Sequence, residues 1–160
     1  MEKILTILKE KKKLLILIIF LLVIIFSGAL YLKYYQKQFN IDVSEKYIKA
    51  GIYLTTNNNK DSKKFFKEIV ESKHFFYSVL ALNSIIENNL EENNKEIFRL
   101  FKIVEESSKT EEQKNLLKFK KALYYIKILK ESEGNILLNE IIKSNSIWKE
   151  AAKETLNLNQ

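Results

Sequence analysis

A chain of 160 residues has room for one modest domain and a short appendage, and this one carries no cysteine, no proline, three glycines and a single histidine. Disulfide frameworks, thiolate metal sites and motifs that need two histidines are therefore excluded, and Gly28, Gly51 and Gly134 are too scattered for a phosphate-cradling loop. The net charge of +7 does not point to nucleic acid: residues 1–35 hold six lysines against two glutamates, and the remainder is mixed in sign, without a basic stripe interleaved with aromatics.

The chain is rich in Leu, Lys, Glu and Ile and nearly free of helix breakers, so the expected fold class is all-α. Residues 1–13 form a Lys-rich segment with Lys3, Lys9, Lys11, Lys12 and Lys13. From Leu14 to Leu32, nineteen residues are interrupted only by Ser27, Gly28, Ala29 and Tyr31. As a helix this stretch is about 28 Å long, close to a hydrocarbon core of about 30 Å. Its strongly apolar residues favour insertion by roughly 5–9 kcal/mol, with no internal charge to oppose it.

Residues 14–32 are thus expected to be a transmembrane helix in contact with the lipid bilayer. The lysines before the span outnumber Lys33 and Lys37 just after it, which keeps the N-terminus cytoplasmic and sends the C-terminal part across. Tyr31, Tyr34 and Tyr35 suit the outer interface. The alternative is a signal peptide cleaved after Ala29, with Ser27 and Ala29 at the required spacing. The apolar character resumes at Leu30–Leu32, which favours a retained anchor. Either way the rest of the chain lies on the outer side.

Residues 33–41 are expected to extend the helix as a stalk, and residues 42–160 to form the outer domain. Its helices are expected over "DVSEKYIKAGIYLTT", with a start signal at Asp42 and Ser44; "DSKKFFKEIVES"; "HFFYSVLALNSIIENNL"; "KEIFRLFKIVEES"; a long helix opened by Thr110, Glu111 and Glu112 that stops near Gly134; "NILLNEIIKS"; and "SIWKEAAKETLNL". In the long helix Leu116, Phe119, Leu123 and Ile126 alternate by three and four, with Leu117, Tyr124 and Ile128 widening the stripe.

The helices recur in pairs. Ile69–Val70, Ile103–Val104 and Ile141–Ile142 sit near the ends of the second helices, 34 and then 38 residues apart, and "FFKEIVES" resembles "LFKIVEES". A period near 34 with helix–turn–helix units is that of tetratricopeptide arrays. The outer domain is therefore expected to be a small TPR-like stack of three helical hairpins, closed by the helix around Trp148, Ala151 and Ala152.

The Lys-rich start, the span ending in "YLKYY", the helix "YSVLALNSIIE" and the segment "SIWKEAAKETLNL" together resemble the YfgM-like family, TPR-type ancillary subunits of the Sec translocon. The resemblance implies a single-pass protein of the bacterial inner membrane with a periplasmic repeat domain. The partners it implies are Sec translocon subunits, a periplasmic chaperone or foldase, and exported chains. It implies no catalytic residues, cofactor or metal. The second helices depart from the family pattern, with Phe65, Phe66 and Phe98 where small residues are usual. The same architecture also suits a scaffold for another envelope assembly, such as cell division or cofactor and cytochrome maturation.

No constellation suggests an enzyme. His74 stands at a helix start without a second histidine, and Glu91–Glu92, Glu105–Glu106 and Glu111–Glu112 are adjacent, so their side chains diverge on a helix. Ser107, Ser108 and Ser144 have no activating base in a recognisable arrangement. The aromatics are numerous, and adjacent pairs such as Phe65–Phe66, Phe75–Phe76 and Tyr124–Tyr125 cannot both face one core stripe. A protein-binding groove lined by Tyr47, Tyr53, Tyr124 and Tyr125 is the candidate site.

Overall fold

A computed structural model describes residues 2–158. Met1, Asn159, Gln160 and the side chains of residues 2–10, Lys13 and Leu15 lie outside the described set, and with them most of the Lys-rich segment expected to stay cytoplasmic. All regular structure in the described residues is helical: α1 (Glu2–Thr55), α2 (Asn59–Glu71), α3 (Phe75–Glu87), α4 (Asn94–Glu106), α5 (Glu111–Lys127), α6 (Glu131–Lys143) and α7 (Lys149–Leu158). The chain divides into two compact units, Met1–Asp42 and Val43–Gln160.

The first unit is the N-terminal part of α1. Its apolar residues from Leu17 to Phe26 are all exposed among the described residues. Among the described residues α1 is the one helix long and apolar enough to cross a membrane. The start expected at Asp42 and Ser44 does not occur, because α1 continues to Thr55. Asn40 and Asp42 cost only about 0.7 kcal/mol each in a helix interior, too little to break it without a proline or a left-handed residue.

In the second unit α2, α3, α4 and α5 begin close to where the sequence places them, and their caps are visible, whereas α6 begins at Glu131, ahead of the expected "NILLNEIIKS", without a side-chain cap. Asn58 accepts from Asp61 N, His74 Nδ1 from Tyr77 N, and Asn93 from Lys95 N. Thr110 and Gln113 form a reciprocal capping box at α5, where Glu111 and Glu112 occupy the first turn. His74 is thus a helix cap, at the helix-start position expected for it.

The helix ends are less obvious from the sequence. Asn57, Asn89 and Leu129 adopt left-handed φ values of 57°, 48° and 60°. Each is followed by a backbone N–H reaching five residues back, Asn58 N to Tyr53 O at 2.8 Å, Leu90 N to Ile85 O at 2.9 Å and Lys130 N to Tyr125 O at 2.9 Å. This is the Schellman closure, used three times, at α1, α3 and α5. Consequently α5 ends at Lys127, and the turn expected near Gly134 lies at Leu129 instead.

Gly134 has a different job. It is buried in the first turn of α6, where an added Cβ would stand 2.9 Å from Ile126 Cγ1 and 3.0 Å from the carbonyl oxygen of Ala122. Ser62 holds the matching place in α2, buried, with its hydroxyl donating to the carbonyl of Ala50 at 3.0 Å. Small residues thus let the second helix of a pair approach the first closely. Ala50, Ala81, Ala122 and Ala152 are all fully buried, one each in α1, α3, α5 and α7. Each follows an aromatic by three or four positions: Tyr47, Tyr77, Phe119 and Trp148. On the second helices Phe66, Leu100 and Leu138 recur at the 34- and 38-residue spacing, and all are buried. The core at the C-terminal end joins Ala122, Leu138, Ile141 and Ala152, with Phe119 and Trp148 stacked at 6.0 Å between centroids.

An ion-pair cluster ties α2 to α4. Glu91, with a side chain only 10% exposed, receives Lys63 at 2.9 Å, Lys67 at 2.7 Å and the backbone N–H of Asn93 at 3.1 Å. Lys67 also reaches Glu96 at 2.9 Å, and Arg99 bridges Glu96 to Glu71. The hydrogen bonds from Lys67 and Lys63 pull the Glu91 carboxyl from the usual 4.5 to about 2, and those from Arg99 and Lys67 do the same for Glu96.

Two outcomes follow for stability. Leu129→Gly removes a left-handed leucine that is 87% exposed, and should raise stability by roughly 0.5–1 kcal/mol in chemical denaturation. Because folding lowers the Glu91 and Glu96 pKa values, their contribution is complete above about pH 4.5 and is lost as pH falls toward 2. Glu91→Gln should cost about 1–2 kcal/mol at neutral pH and make the acid limb of a stability–pH curve shallower.

Candidate protein-binding surface

The four tyrosines of the expected groove fall into two aromatic groups. Tyr47, half-buried on α1, meets Phe66 edge-on at 5.6 Å and Tyr77 at 5.8 Å, with its hydroxyl 3.4 Å from Ser84 Oγ. Tyr53, further along α1, stacks on Phe65 at 5.5 Å, and Lys49 sits over the same Phe65 ring at 4.8 Å. Both tyrosines therefore join α1 to its neighbours. Tyr124 and Tyr125 on α5 close on Phe98 of α4, at 5.6 Å and 4.9 Å. Tyr124 is only 6% exposed, and its hydroxyl donates to Asn94 Oδ1 at 2.7 Å. The adjacent aromatics do split between faces, as their spacing requires: Phe66 is buried while Phe65 is half-buried, and Phe76 is exposed.

One edge of Tyr124 does reach a surface cleft, between α3 and α5. The cleft has a volume of about 160 Å³ and is lined by Asn83, Ile86 and Glu87 from α3 and by Lys120, Leu123, Tyr124 and Lys127 from α5. On α3 Ile86 and Glu87 each lie one helical turn after Asn83; on α5 Lys120, Leu123 and Lys127 share a face by the same spacing. Leu123, placed by its spacing in the core stripe of α5, is instead 41% exposed and forms a wall of this cleft. The core positions of α5 are Leu117, Ala122 and Tyr124.

The electrostatics of the cleft are uneven. The Lys127 ammonium donates to the carbonyl of Ile86, at the C-terminal end of α3, and to Asn89 Oδ1 at 2.9 Å. Lys120 is half-buried, and burial pushes its pKa down, opposed by the carboxylate of Glu87. Among the described residues it has no hydrogen bond or salt bridge. Sequence reasoning missed Lys120 and the α3 residues because a lysine in a Lys-rich helix carries no signal. The available signal was that Leu116 and Leu123 share their face of α5 with Lys120 and Lys127, so that face is mixed rather than purely apolar.

The cleft offers an apolar floor flanked by Lys120 and Lys127, with acceptor groups beside them. Among the described residues no group of histidine and carboxylate side chains is placed to hold a metal ion. The Glu91–Glu96 cluster is neutralised internally and lies on α4 and the loop before it. No protein-family model, curated protein or solved structure matches the chain.

The buried tyrosine makes a direct test of which aromatic positions hold the fold. Tyr124→Phe should lower stability by about 1 kcal/mol through the lost bond to Asn94. Tyr53→Phe, which leaves the stacked ring on Phe65 in place, should change it by less than about 0.5 kcal/mol in the same thermal or denaturant measurement.

Proposed function

We propose that this chain is a single-pass membrane-anchored protein-binding module whose outer domain is a short TPR-like array. In this reading residues 14–32 span a bacterial inner membrane with the N-terminus in the cytoplasm, and the domain works in the periplasm. It binds proteins and catalyses nothing. By its resemblance to the YfgM-like family, it serves as an ancillary subunit of the Sec translocon, linking the channel to periplasmic chaperones and exported chains.

The observation that carries the reading is the joining of a fully exposed apolar helix to a domain whose recurrent features are all about packing. The repeat character is supported by the four buried alanines, each behind an aromatic, and by the three left-handed closures at Asn57, Asn89 and Leu129. Ser62 and Gly134 add a matching close approach in two of the hairpins. Stacked hairpins of this kind leave a helical face open to partners, and tethering raises the effective concentration of any partner in the same membrane.

Crosslinking in the native membrane tests the assignment. A photoreactive residue in place of exposed Phe76 should recover a subunit of the Sec channel as a discrete adduct. Adducts with division or cofactor-insertion proteins, without any channel subunit, would reject the translocon role and leave the envelope-scaffold reading in its place.

A further inference from the structure

The α3–α5 cleft combines two features that need each other only if something else enters it. Ile86, Leu123 and Tyr124 form an apolar floor that the chain leaves open, and Lys120 stands half-buried at its side. A partly desolvated ammonium without a hydrogen-bonded partner is unfavourable, because burial costs the charged form its hydration. Glu87 acts on it only through space, from an exposed position on α3. With Lys127 also in the lining, the cleft carries two cations against one carboxylate, so its charge complement is an anion. The volume of about 160 Å³ suits one bulky side chain rather than a folded domain or a cofactor.

We propose that this cleft receives a carboxylate-bearing apolar segment of a partner protein, with Lys120 as the counter-charge to the carboxylate and Ile86, Leu123 and Tyr124 seating the neighbouring apolar side chain. The inference rests on the protein-binding reading above and gives the partner a chemistry. Asn83, one turn before Ile86, supplies an amide that pairs with the backbone of an extended segment. Lys127 is already engaged by the end of α3 and fixes the width of the cleft by tying α5 to that helix. Tyr124 serves as part of the floor through its ring, while its hydroxyl remains bound to Asn94.

The test uses the full chain in detergent or nanodiscs, with methyl NMR of Ile86 and Leu123 as the readout. The probes are two synthetic peptides that differ in one residue, Gly-Ser-Leu-Asp-Leu-Ser-Gly and its Asp→Asn counterpart, both blocked at their ends. The Asp peptide should shift both methyl signals saturably, and the Asn peptide should bind at least about tenfold more weakly. Lys120→Met should abolish the difference between the peptides, and Lys120→Arg should retain it; neither removes a hydrogen bond of the fold. Equal binding of the two peptides, an unchanged preference in Lys120→Met, or no shift of Ile86 and Leu123 at millimolar peptide would overturn the proposal. If the peptides instead shift signals elsewhere, such as Ile48 or Ile52 on the exposed face of α1, this cleft is not the site while the protein-binding reading stands. If the chain binds neither peptide and yields no protein adduct in the membrane, both fall.

Discussion

The carbonyl oxygen of a buried alanine is the point on which two of the helical pairs close. Ser62 donates a hydrogen bond to Ala50 O, and Gly134 lies where any side chain would collide with Ala122 O. Helices that approach this closely must be small at the contact and must arrive at a fixed angle. The left-handed residue at the end of each first helix sets that angle, and in α2 the Asn58 cap also sets the phase. Once the backbones are held so, Phe66, Leu100 and Leu138 fall into the same buried position of successive pairs. Their burial contributes roughly 1.5–3 kcal/mol each, most of it available only because the helices are close. The larger aromatics Tyr47, Tyr77, Phe119 and Trp148 then fill the space one turn before each alanine.

Polar interactions fix the register of this apolar stack. The Glu91–Glu96 cluster clamps α2 to α4 beside the longest inter-helix connection, residues 88–93. Low exposure and several donors per carboxylate make it stronger than ordinary surface pairs such as Lys114–Glu111, whose members are 49% and 79% exposed. At the other end Ser146 and Ile147 N–H both bind Glu112, which holds the entry into α7 against α5. The second unit is therefore specified by a few buried polar contacts laid over a continuous apolar seam.

Much of this was legible in the sequence. Helix-forming composition, the apolar run at 14–32 and the cap at Thr110 depend on local chemistry, which a sequence displays directly. One stop was misread for a physical reason: sequence reading trusts glycine as a breaker, whereas Leu129 takes the left-handed turn and Gly134 relieves a helix contact. The start at Asp42 failed because weak propensities do not break a helix that nothing interrupts. The site was less legible than the fold. Tyr124 reads as a groove residue by type but is held in the core by Phe98, Phe101 and Asn94. Leu123 reads as core by spacing but faces a cleft, because Tyr124 and Ala122 take the buried side.

The proposed function stands on the anchor and its direction. The most direct measurement is protease accessibility in intact spheroplasts of a full-length chain tagged at both ends. The account predicts that external protease removes the C-terminal tag, while a membrane-bound fragment carrying the N-terminal tag survives. A protected C-terminal tag, or an N-terminal tag already separated from the outer domain before protease is added, would contradict it.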